Sequence, residues 1–450
     1  MGGEKLVVVG GDAAGMSAAS KAKRESPNLD VTVFEKKDIV SFGLCGLPYY
    51  VSGLVGDLDD LIAMTPETFR EKRNIDVRTE HEVLSLHPKS KEIVVRNGEN
   101  GEITVDYDKL LIATGARAKK PPIYSESVDN LFTLRWLKDS EKVRRYIENR
   151  APQKAVLTSG YIGLEMAEAF RELGLEVTLL AKHDNLLPMV DQEIADVIEE
   201  ELSENEVELR TNSKVEGFKY REDDEIAKVV TGGEEVETDL MLLSVGAEPA
   251  VNLAEDAGIR LGPTGAIAVD EGMKTNYGDI YAAGDCVEST QIVSGEKIFL
   301  PLGDVANRQG RVAGTNIGGG EACFPGVLGT AITKIFDLGV ARTGITERKA
   351  EELGFDYIAS TITQGSRAFY YPGGSEVTIK VIVEQKSGRL LGAQVAGKGK
   401  VSTRINAFAS LVNSETPVQE IQYLDLAYAP PYSPAWDPIQ TAAKVAASKM

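Results

Sequence analysis

The segments Lys5-Leu-Val-Val-Val9, Gly10-Gly-Asp-Ala-Ala-Gly15, residues 16–24 and Val31-Thr-Val-Phe-Glu35 decide the fold. A short apolar run predicts a buried strand, the glycine cluster a tight turn, the Ala/Ser-rich segment a helix, and the second β-branched run a parallel strand. This is half of a dinucleotide-binding βαβ unit. Glycines let the backbone approach a pyrophosphate at a helix N-terminus, and an acid about 20 residues on, here Glu35, accepts from ribose hydroxyls. Gly10, Gly11, Asp12, Ala13, Ala14 and Gly15 are therefore candidate cofactor contacts, with Asp12 in the place of the middle glycine. Taken alone, the same residues also suit an ordinary strand-to-helix turn.

A second copy of the pattern weighs against that plain alternative. Ala155-Val-Leu-Thr-Ser-Gly160-Tyr-Ile-Gly163-Leu-Glu165 leads into a helix to about residue 173 and a strand Gly174-Leu-Glu-Val-Thr-Leu-Leu180. Ser159, Gly160, Tyr161, Ile162, Gly163 and Glu165 are its candidate contacts, and Thr158 stands where the first glycine is expected. The second strand ends in Ala181-Lys182-His183, without the acid of an NAD site. Loss of that carboxylate and gain of a cation is the trend for accepting a 2′-phosphate, so Lys182 and His183 point to tolerance of NADPH beside NADH.

Asp106-Tyr-Asp-Lys-Leu-Leu-Ile-Ala-Thr-Gly115 and Asp239-Leu-Met-Leu-Leu-Ser-Val-Gly246 are each an apolar strand closed by a small residue and glycine, and both are expected to return to the first domain. In Thr275-Asn-Tyr-Gly-Asp-Ile-Tyr-Ala-Ala-Gly284-Asp285 a carboxylate follows a strand, placed to bond a flavin ribityl chain. A helix is expected over residues 301–314. From about residue 321 the pattern changes to alternating strands, residues 377–383 and 389–395, with a helix near 404–412, which indicates a third, α+β domain.

The chain has 450 residues, long enough for about three domains. Hydrophobic residues are 42% and charged residues 26%, and no apolar run approaches the ~18 residues of a spanning helix. The apolar start lacks an h-region and a cleavage site, so an unprocessed cytoplasmic protein is expected. A net charge of −20 argues against general affinity for nucleic acid or anionic membranes. Three cysteines, Cys45, Cys286 and Cys323, with no CxxC and three histidines, do not supply a zinc site at normal spacing, so no metal is expected.

With Ser41-Phe-Gly-Leu-Cys45-Gly-Leu-Pro-Tyr-Tyr50 added, the chain resembles the pyridine-nucleotide disulfide oxidoreductases over essentially its whole length. Within them it resembles the single-cysteine branch of coenzyme A-disulfide reductases, NADH oxidases and NADH peroxidases, because the two-cysteine branch would carry a second cysteine at the position of Tyr50. The resemblance implies an α/β fold of two Rossmann-like domains, for FAD (1–115 and 246–320) and NAD(P)H (116–245), and a C-terminal α+β dimerisation domain (321–450). It also implies a homodimer whose active sites are completed by the partner. Lys36, Val83, Ala113, Thr114, Gly115, Gly246, Gly284, Asp285 and Ala306 join the cofactor-binding set on the same ground.

Cys45 precedes Gly46, Leu47 and Pro48, and proline is common in a helix's first turn. The thiol is therefore expected at a positive helix end that lowers its pKa, as the attacking thiolate of a redox cycle. The plain alternative is a small buried hydrophobe, the reading kept for Cys286 and Cys323. Ala13 stands where peroxidases and many oxidases of the branch carry a histidine, which weakens the peroxidase reading. Ser17, Lys21 and Arg24 share one helix face, and Arg70 and Arg73 lie on a predicted helix over residues 66–73. They are candidate contacts for coenzyme A phosphates or, alternatively, a solvated basic face.

Resemblance to coenzyme A-disulfide reductases places Ser17, Lys21, Arg24, Ser41 and Arg73 at the substrate. Leu44 replaces the usual asparagine beside the cysteine, and Asn307 replaces a histidine of some members. Tyr370 and Tyr371 in Arg367-Ala-Phe-Tyr370-Tyr371-Pro372, and Tyr428 and Trp436 in residues 426–436, resemble the family's interface motifs. No histidine lies beyond His183, so Tyr428 with Tyr370 or Tyr371 is the candidate acid for the leaving thiolate, unless these rings only pack an interface. The function implied is NAD(P)H-dependent reduction of coenzyme A disulfide, or a coenzyme A persulfide or polysulfide, through Cys45. The rivals are an NADH oxidase using the same cysteine, an electron donor to a rubredoxin- or ferredoxin-like partner, and a flavin-binding module with negligible turnover.

Overall fold

The computed structural model describes residues 3–98, 101–222 and 224–450. Five parallel strands form the first sheet, in the order Ile280–Ala282, Lys109–Ile112, Lys5–Val9, Asp30–Phe34 and Asp76–Arg78. Leu6 lies against Val31 on one side and against Lys109 on the other. Strands covered on both faces bury every residue whichever way it points, and Val7, Val8, Val33, Leu110 and Leu111 are all buried.

The helix Ala13–Glu25 packs lengthwise on Gly303–Ile317, the helix expected over residues 301–314. Small residues permit that approach: a Cβ on Gly310 would lie 2.4 Å from Ala14 O, and one on Gly314 would lie 2.4 Å from Ala18 O. The two helices hold the glycine turn and the Asp285 segment together at the carboxyl ends of the strands, where open α/β sheets bind their ligands.

The second sheet is ordered Val207–Arg210, Glu176–Leu180, Lys154–Thr158, Leu240–Leu242 and Leu131–Phe132. One expectation is overturned here. Leu240–Leu242, the strand within residues 239–246, pairs in parallel with Lys154–Thr158 and Leu131–Phe132 and so belongs to the second sheet, not the first. A three-residue apolar strand followed by glycine suits either sheet, and only its neighbours decide between them. The chain crosses back one step later, where Ala247–Pro249 pairs antiparallel with Ala116–Ala118.

The C-terminal sheet is antiparallel, ordered Ala331–Ile335, Leu338–Gly344, Leu390–Gly397, Glu376–Glu384 and Tyr357–Gly365, with the helices Val401–Asn413 and Pro438–Ala447 packed on it. A charged seam fastens it to the second domain. Lys380, 2% exposed, lies 2.7 Å from Glu193 Oε2 and 2.5 Å from Glu347 Oε2. Gln394 Nε2 donates to Asp191 Oδ2 at 2.5 Å, and the Asp191 N–H donates back to Gln394 Oε1 at 2.7 Å. Lys380 and Asp191 are buried, and buried charges are retained only when paired, so the seam fixes how the two domains meet. No helix among the described residues is long and apolar enough to cross a membrane.

Candidate active site

A cavity of about 1460 Å³ opens at the carboxyl ends of the first sheet. Gly10, Gly11, Asp12, Glu35, Lys36 and Val83 wall it on one side, with Ala113, Thr114, Gly115 and Asp285 on the other. Gly15 is the close-packing glycine: a Cβ there would sit 1.9 Å from Gly10 O, so the helix can start against the strand only without a side chain. Ala13 and Ala14 form the first helical turn, and Gly284 fits between Ala14 and Ala306. Glu35 accepts the Gly11 N–H at 2.8 Å and the Lys37 N–H at 3.0 Å, which holds its carboxylate on the cavity wall. Gly246 stands apart from this wall, its carbonyl accepting the Lys119 N–H at 2.9 Å.

The residues present fit FAD. Backbone N–H groups at a helix start and the cations on the walls suit a pyrophosphate, Glu35 suits a ribose, and the volume exceeds what a drug-sized ligand fills. Two features of the wall were missed in the sequence. Arg135 Nη2 lies 2.5 Å from Asp285 Oδ2, both side chains largely buried. Lys37 Nζ lies 3.3 Å above the Trp136 ring, and Trp136 meets Phe42 edge-on at 4.7 Å. Burial lowers the Lys37 pKa to about 8. The signal for this stretch is the helix start that follows: Asp139 accepts the N–H groups of Arg135 at 3.0 Å and Trp136 at 2.8 Å, a cap that fixes where both residues begin.

Asp12 does not cap its helix. Its Oδ1 instead accepts the Phe42 N–H at 3.2 Å and so ties the turn to the cysteine loop. Burial, with Glu35 and Asp285 nearby, pushes its carboxyl up to about 6.

The second turn repeats the geometry. A Cβ on Gly163 would meet Thr158 O at 2.0 Å, Gly160 has φ of 132°, and the helix Tyr161–Glu172 starts directly after it. Ser159, Gly160, Tyr161 and Ile162 thus form a strand-to-helix turn like the first. Thr158 Oγ1, in place of the first glycine, accepts the Ser244 N–H at 2.6 Å. Lys182 and His183 are exposed beyond the strand end. Glu165, largely buried in the second turn of the helix, accepts from Thr333 Oγ1 at 2.8 Å.

Cys45 sits in a 3₁₀ turn, Leu44–Gly46, before the short helix Leu47–Ser52, and its sulfur is open to solvent on one side. The expected lowering of its pKa does not occur. Burial of the other side raises it, the carboxylates of Glu165, Asp285 and Asp12 add to the rise, and the guanidinium of Arg135 opposes them without prevailing. The helix that follows has six residues and begins two residues after the thiol, too weak a dipole to outweigh desolvation and three like charges. Cys286 is fully buried with its thiol pushed up to about 11, and Cys323 is exposed. No group of three or more His, Cys, Asp or Glu among the described residues is arranged to hold a metal.

The candidate substrate residues fall into two places. Ser17 Oγ donates to Asn307 Oδ1 at 2.6 Å, Arg73 Nη1 donates to Ser20 Oγ at 2.6 Å, Lys21 pairs with Glu25, and Arg24 is exposed, so these residues share the outer surface of the first helix. Arg70 turns away, toward the Val77 carbonyl. Ser41, with φ of 50°, and Leu44 carry the cysteine loop.

Tyr370, Tyr371, Tyr428 and Trp436 lie on the outer face of the C-terminal domain, exposed by 62%, 37%, 52% and 51%. The hydroxyls of Tyr370 and Tyr428 are 3.5 Å apart, and that contact raises the Tyr370 pKa. Among the described residues of one chain, none of the four makes a hydrogen bond, ion pair or ring contact with the cysteine loop.

Residues 4–310 match the model of the pyridine nucleotide-disulphide oxidoreductases, and residues 330–438 match the dimerisation domain of the same proteins. The chain belongs to the pyridine nucleotide-disulphide oxidoreductase family. It is 39% identical over 442 residues to the CoA-dependent NAD(P)H sulfur oxidoreductase of Pyrococcus abyssi, covering 98% of this chain and 97% of that protein. It is 34% identical over 433 residues to the coenzyme A disulfide reductase of Staphylococcus haemolyticus, covering 95% and 96%. It is also 33% identical over 448 residues to an NADH oxidase of Methanocaldococcus jannaschii, covering 99% of each. Among solved structures, a NAD-dependent persulfide reductase from A. fulgidus superposes with a TM-score of 0.96 at 43% identity, covering 99% of this chain and 83% of that one. The protein is thus an oxidoreductase using FAD and a pyridine nucleotide, with an α/β fold of two Rossmann-like domains and a C-terminal dimerisation domain that makes it a homodimer.

Proposed function

We propose that this enzyme oxidises NAD(P)H and reduces coenzyme A disulfide, or a coenzyme A persulfide or polysulfide, through Cys45. The observation that carries the reading is the place of Cys45, open to solvent yet set among Asp12 and Asp285 of the flavin cradle and Glu165 of the second turn. FAD, when bound, carries the electron pair from the nicotinamide toward sulfur. The chain's own step is thiol chemistry. The Cys45 thiolate attacks one sulfur of the substrate disulfide, a mixed disulfide forms, and one coenzyme A thiolate leaves. The electron pair from NAD(P)H then breaks that mixed disulfide, the second coenzyme A leaves as its thiol, and the Cys45 thiolate is free for the next turnover.

Ser17, Lys21, Arg24, Arg73 and Asn307 form the strip proposed to hold coenzyme A phosphates, with Ser41 and Leu44 beside the sulfur. Tyr428 and Tyr370, whose hydroxyls already meet, are assigned to the partner's active site as donors to the leaving thiolate, with Tyr371 and Trp436 beside them. Supporting this is their exposure in one chain together with their place in the dimerisation domain. The domain limits are read as 1–115 with 246–320 for FAD, 116–245 for NAD(P)H and 321–450 for dimerisation. The similarity to an NADH oxidase favours oxygen as the competing acceptor.

The test is anaerobic oxidation of NADPH and of NADH with coenzyme A disulfide, in the parent and in Cys45→Ser. Turnover in the parent and its loss by about 10³-fold or more in the variant is expected of a covalent nucleophile. A parent inert without air that consumes NADH once oxygen is admitted would replace this reading with the oxidase one.

A further inference from the structure

One cation on the wall of the cavity that fits FAD has no anion opposite it. Every arginine on that wall, and Lys120, lies within 3.3 Å of a carboxylate oxygen, while Lys36 and Lys142 are exposed. Lys37 is half-buried, and among the described residues its ammonium makes no hydrogen bond and no ion pair. It rests instead 3.3 Å above the ring of Trp136, the residue that begins the helix Leu137–Arg150. An ammonium withdrawn from water without an acceptor is costly, and a ring face offsets only part of that cost.

Two lines of contact run from this pair to the first glycine turn. Lys37 donates its backbone N–H to Glu35 at 3.0 Å, and the other oxygen of Glu35 accepts the Gly11 N–H at 2.8 Å. Trp136 meets Phe42 edge-on at 4.7 Å, and the Phe42 N–H donates to Asp12 at 3.2 Å. Beside them Lys138 pairs with Asp38 at 2.8 Å, so the loop after the strand Asp30–Phe34 is fastened to the helix start at two neighbouring points.

We propose that Lys37, seated on Trp136, is a ligand of the FAD pyrophosphate, its ammonium taking a phosphate oxygen beside the start of the helix Ala13–Glu25. In the oxidised cofactor only the pyrophosphate is charged, so only that part of FAD replaces the acceptor the ammonium lacks. Trp136 fits this role because a ring face holds a cation without neutralising it, whereas a carboxylate at the same place would pair with Lys37 and repel the phosphates. Burial lowers the Lys37 pKa to about 8, with Glu35 opposing, and a phosphate alongside would keep the amine charged.

The experiment uses the flavin-loaded enzyme and two readouts that need no turnover: the rate of FAD release on dilution, followed by flavin fluorescence, and the two pyrophosphate resonances of bound FAD in phosphorus NMR. Lys37→Gln is expected to speed release about tenfold, the scale of one charge-assisted hydrogen bond, and to move at least one resonance. Lys37→Arg, which keeps the charge and the ring contact, should recover most of the lost retention. Trp136→Leu should speed release about threefold and move the same resonance, while Trp136→Phe, which keeps a ring face, should match the parent. Faster release from Lys37→Gln with both resonances in place would assign Lys37 to the adenosine end or to packing and overturns the proposal. So does a Lys37→Arg enzyme that loses FAD as fast as Lys37→Gln. Where Lys37→Gln does not fold with flavin bound, Trp136→Leu decides, and two unmoved resonances there overturn the proposal. Neither readout depends on which acceptor Cys45 serves.

Discussion

The two nucleotide turns share a backbone and differ in their side chains. Each keeps its last glycine against a carbonyl, 1.9 Å at Gly15 and 2.0 Å at Gly163, and each gives up one other glycine. The first turn places Asp12 in the middle and the second places Thr158 at the start. Both replacements accept a backbone N–H from a neighbouring loop, Phe42 for Asp12 at 3.2 Å and Ser244 for Thr158 at 2.6 Å. The shared backbone therefore says that a dinucleotide is held, and the replaced positions say what each turn is tied to. The first turn reaches the cysteine loop; the second reaches only its own sheet.

The harshest way to break the comparison is to fill the close approaches. Gly163→Val is expected to leave flavin bound while cutting NAD(P)H-driven flavin reduction by about 10²-fold or more, because the helix start must move from the strand it cradles. Gly15→Val is expected to yield protein without flavin. Flavin absorbance of the purified variants, followed by anaerobic stopped-flow reduction, separates the two; a Gly163→Val enzyme reduced at the parent rate would show that the second turn holds no nucleotide.

Next in size is the carboxyl of Asp12. Its folded pKa of about 6 lies above the ordinary 3.8. Between those values the native state keeps a proton that the unfolded chain has lost, so stability falls as pH climbs through that interval and stays low above it. Two units correspond to at most about 3 kcal/mol at neutral pH. Asp12→Asn keeps an acceptor for the Phe42 N–H and removes the charge. The variant should hold flavin to a higher temperature than the parent at pH 7.5, with the advantage shrinking toward pH 4; an equal advantage at both pH values would show that charge is not the cause.

Much of this was legible in the sequence because it is local. The strand, turn and helix around Gly10–Gly15 and Thr158–Gly163 follow from periodicity and glycine spacing, and the C-terminal strands from alternation. The strand Leu240–Leu242 was not placed correctly, since its sheet is decided by a partner some 85 residues away, Ala155 against Leu240. The direction of the Cys45 pKa was misjudged for the same reason. Pro48 and the helix are adjacent to it, while the carboxylates of Asp12, Glu165 and Asp285 arrive from elsewhere in the chain. Arg135 and Trp136 carried no motif, and their roles exist only as contacts, with Asp285 and with Lys37.

The smallest expected effect sharpens the comparison at the ends of the second strands. Glu35 closes the first unit with a carboxylate held by two backbone N–H groups, at 2.8 and 3.0 Å, rigid enough to select a ribose diol. The second unit ends in Ala181, Lys182 and His183, with the two larger residues exposed and no carboxylate between them. An exposed lysine on a 2′-phosphate is a screened contact, worth about 1 kcal/mol at moderate salt. Lys182→Ala should therefore raise KM for NADPH about fivefold, leave KM for NADH unchanged, and lose most of its effect at high salt. A parallel rise for both nucleotides would mean that Lys182 supports the turn and not the phosphate, and the second unit would then be indifferent to the 2′ position.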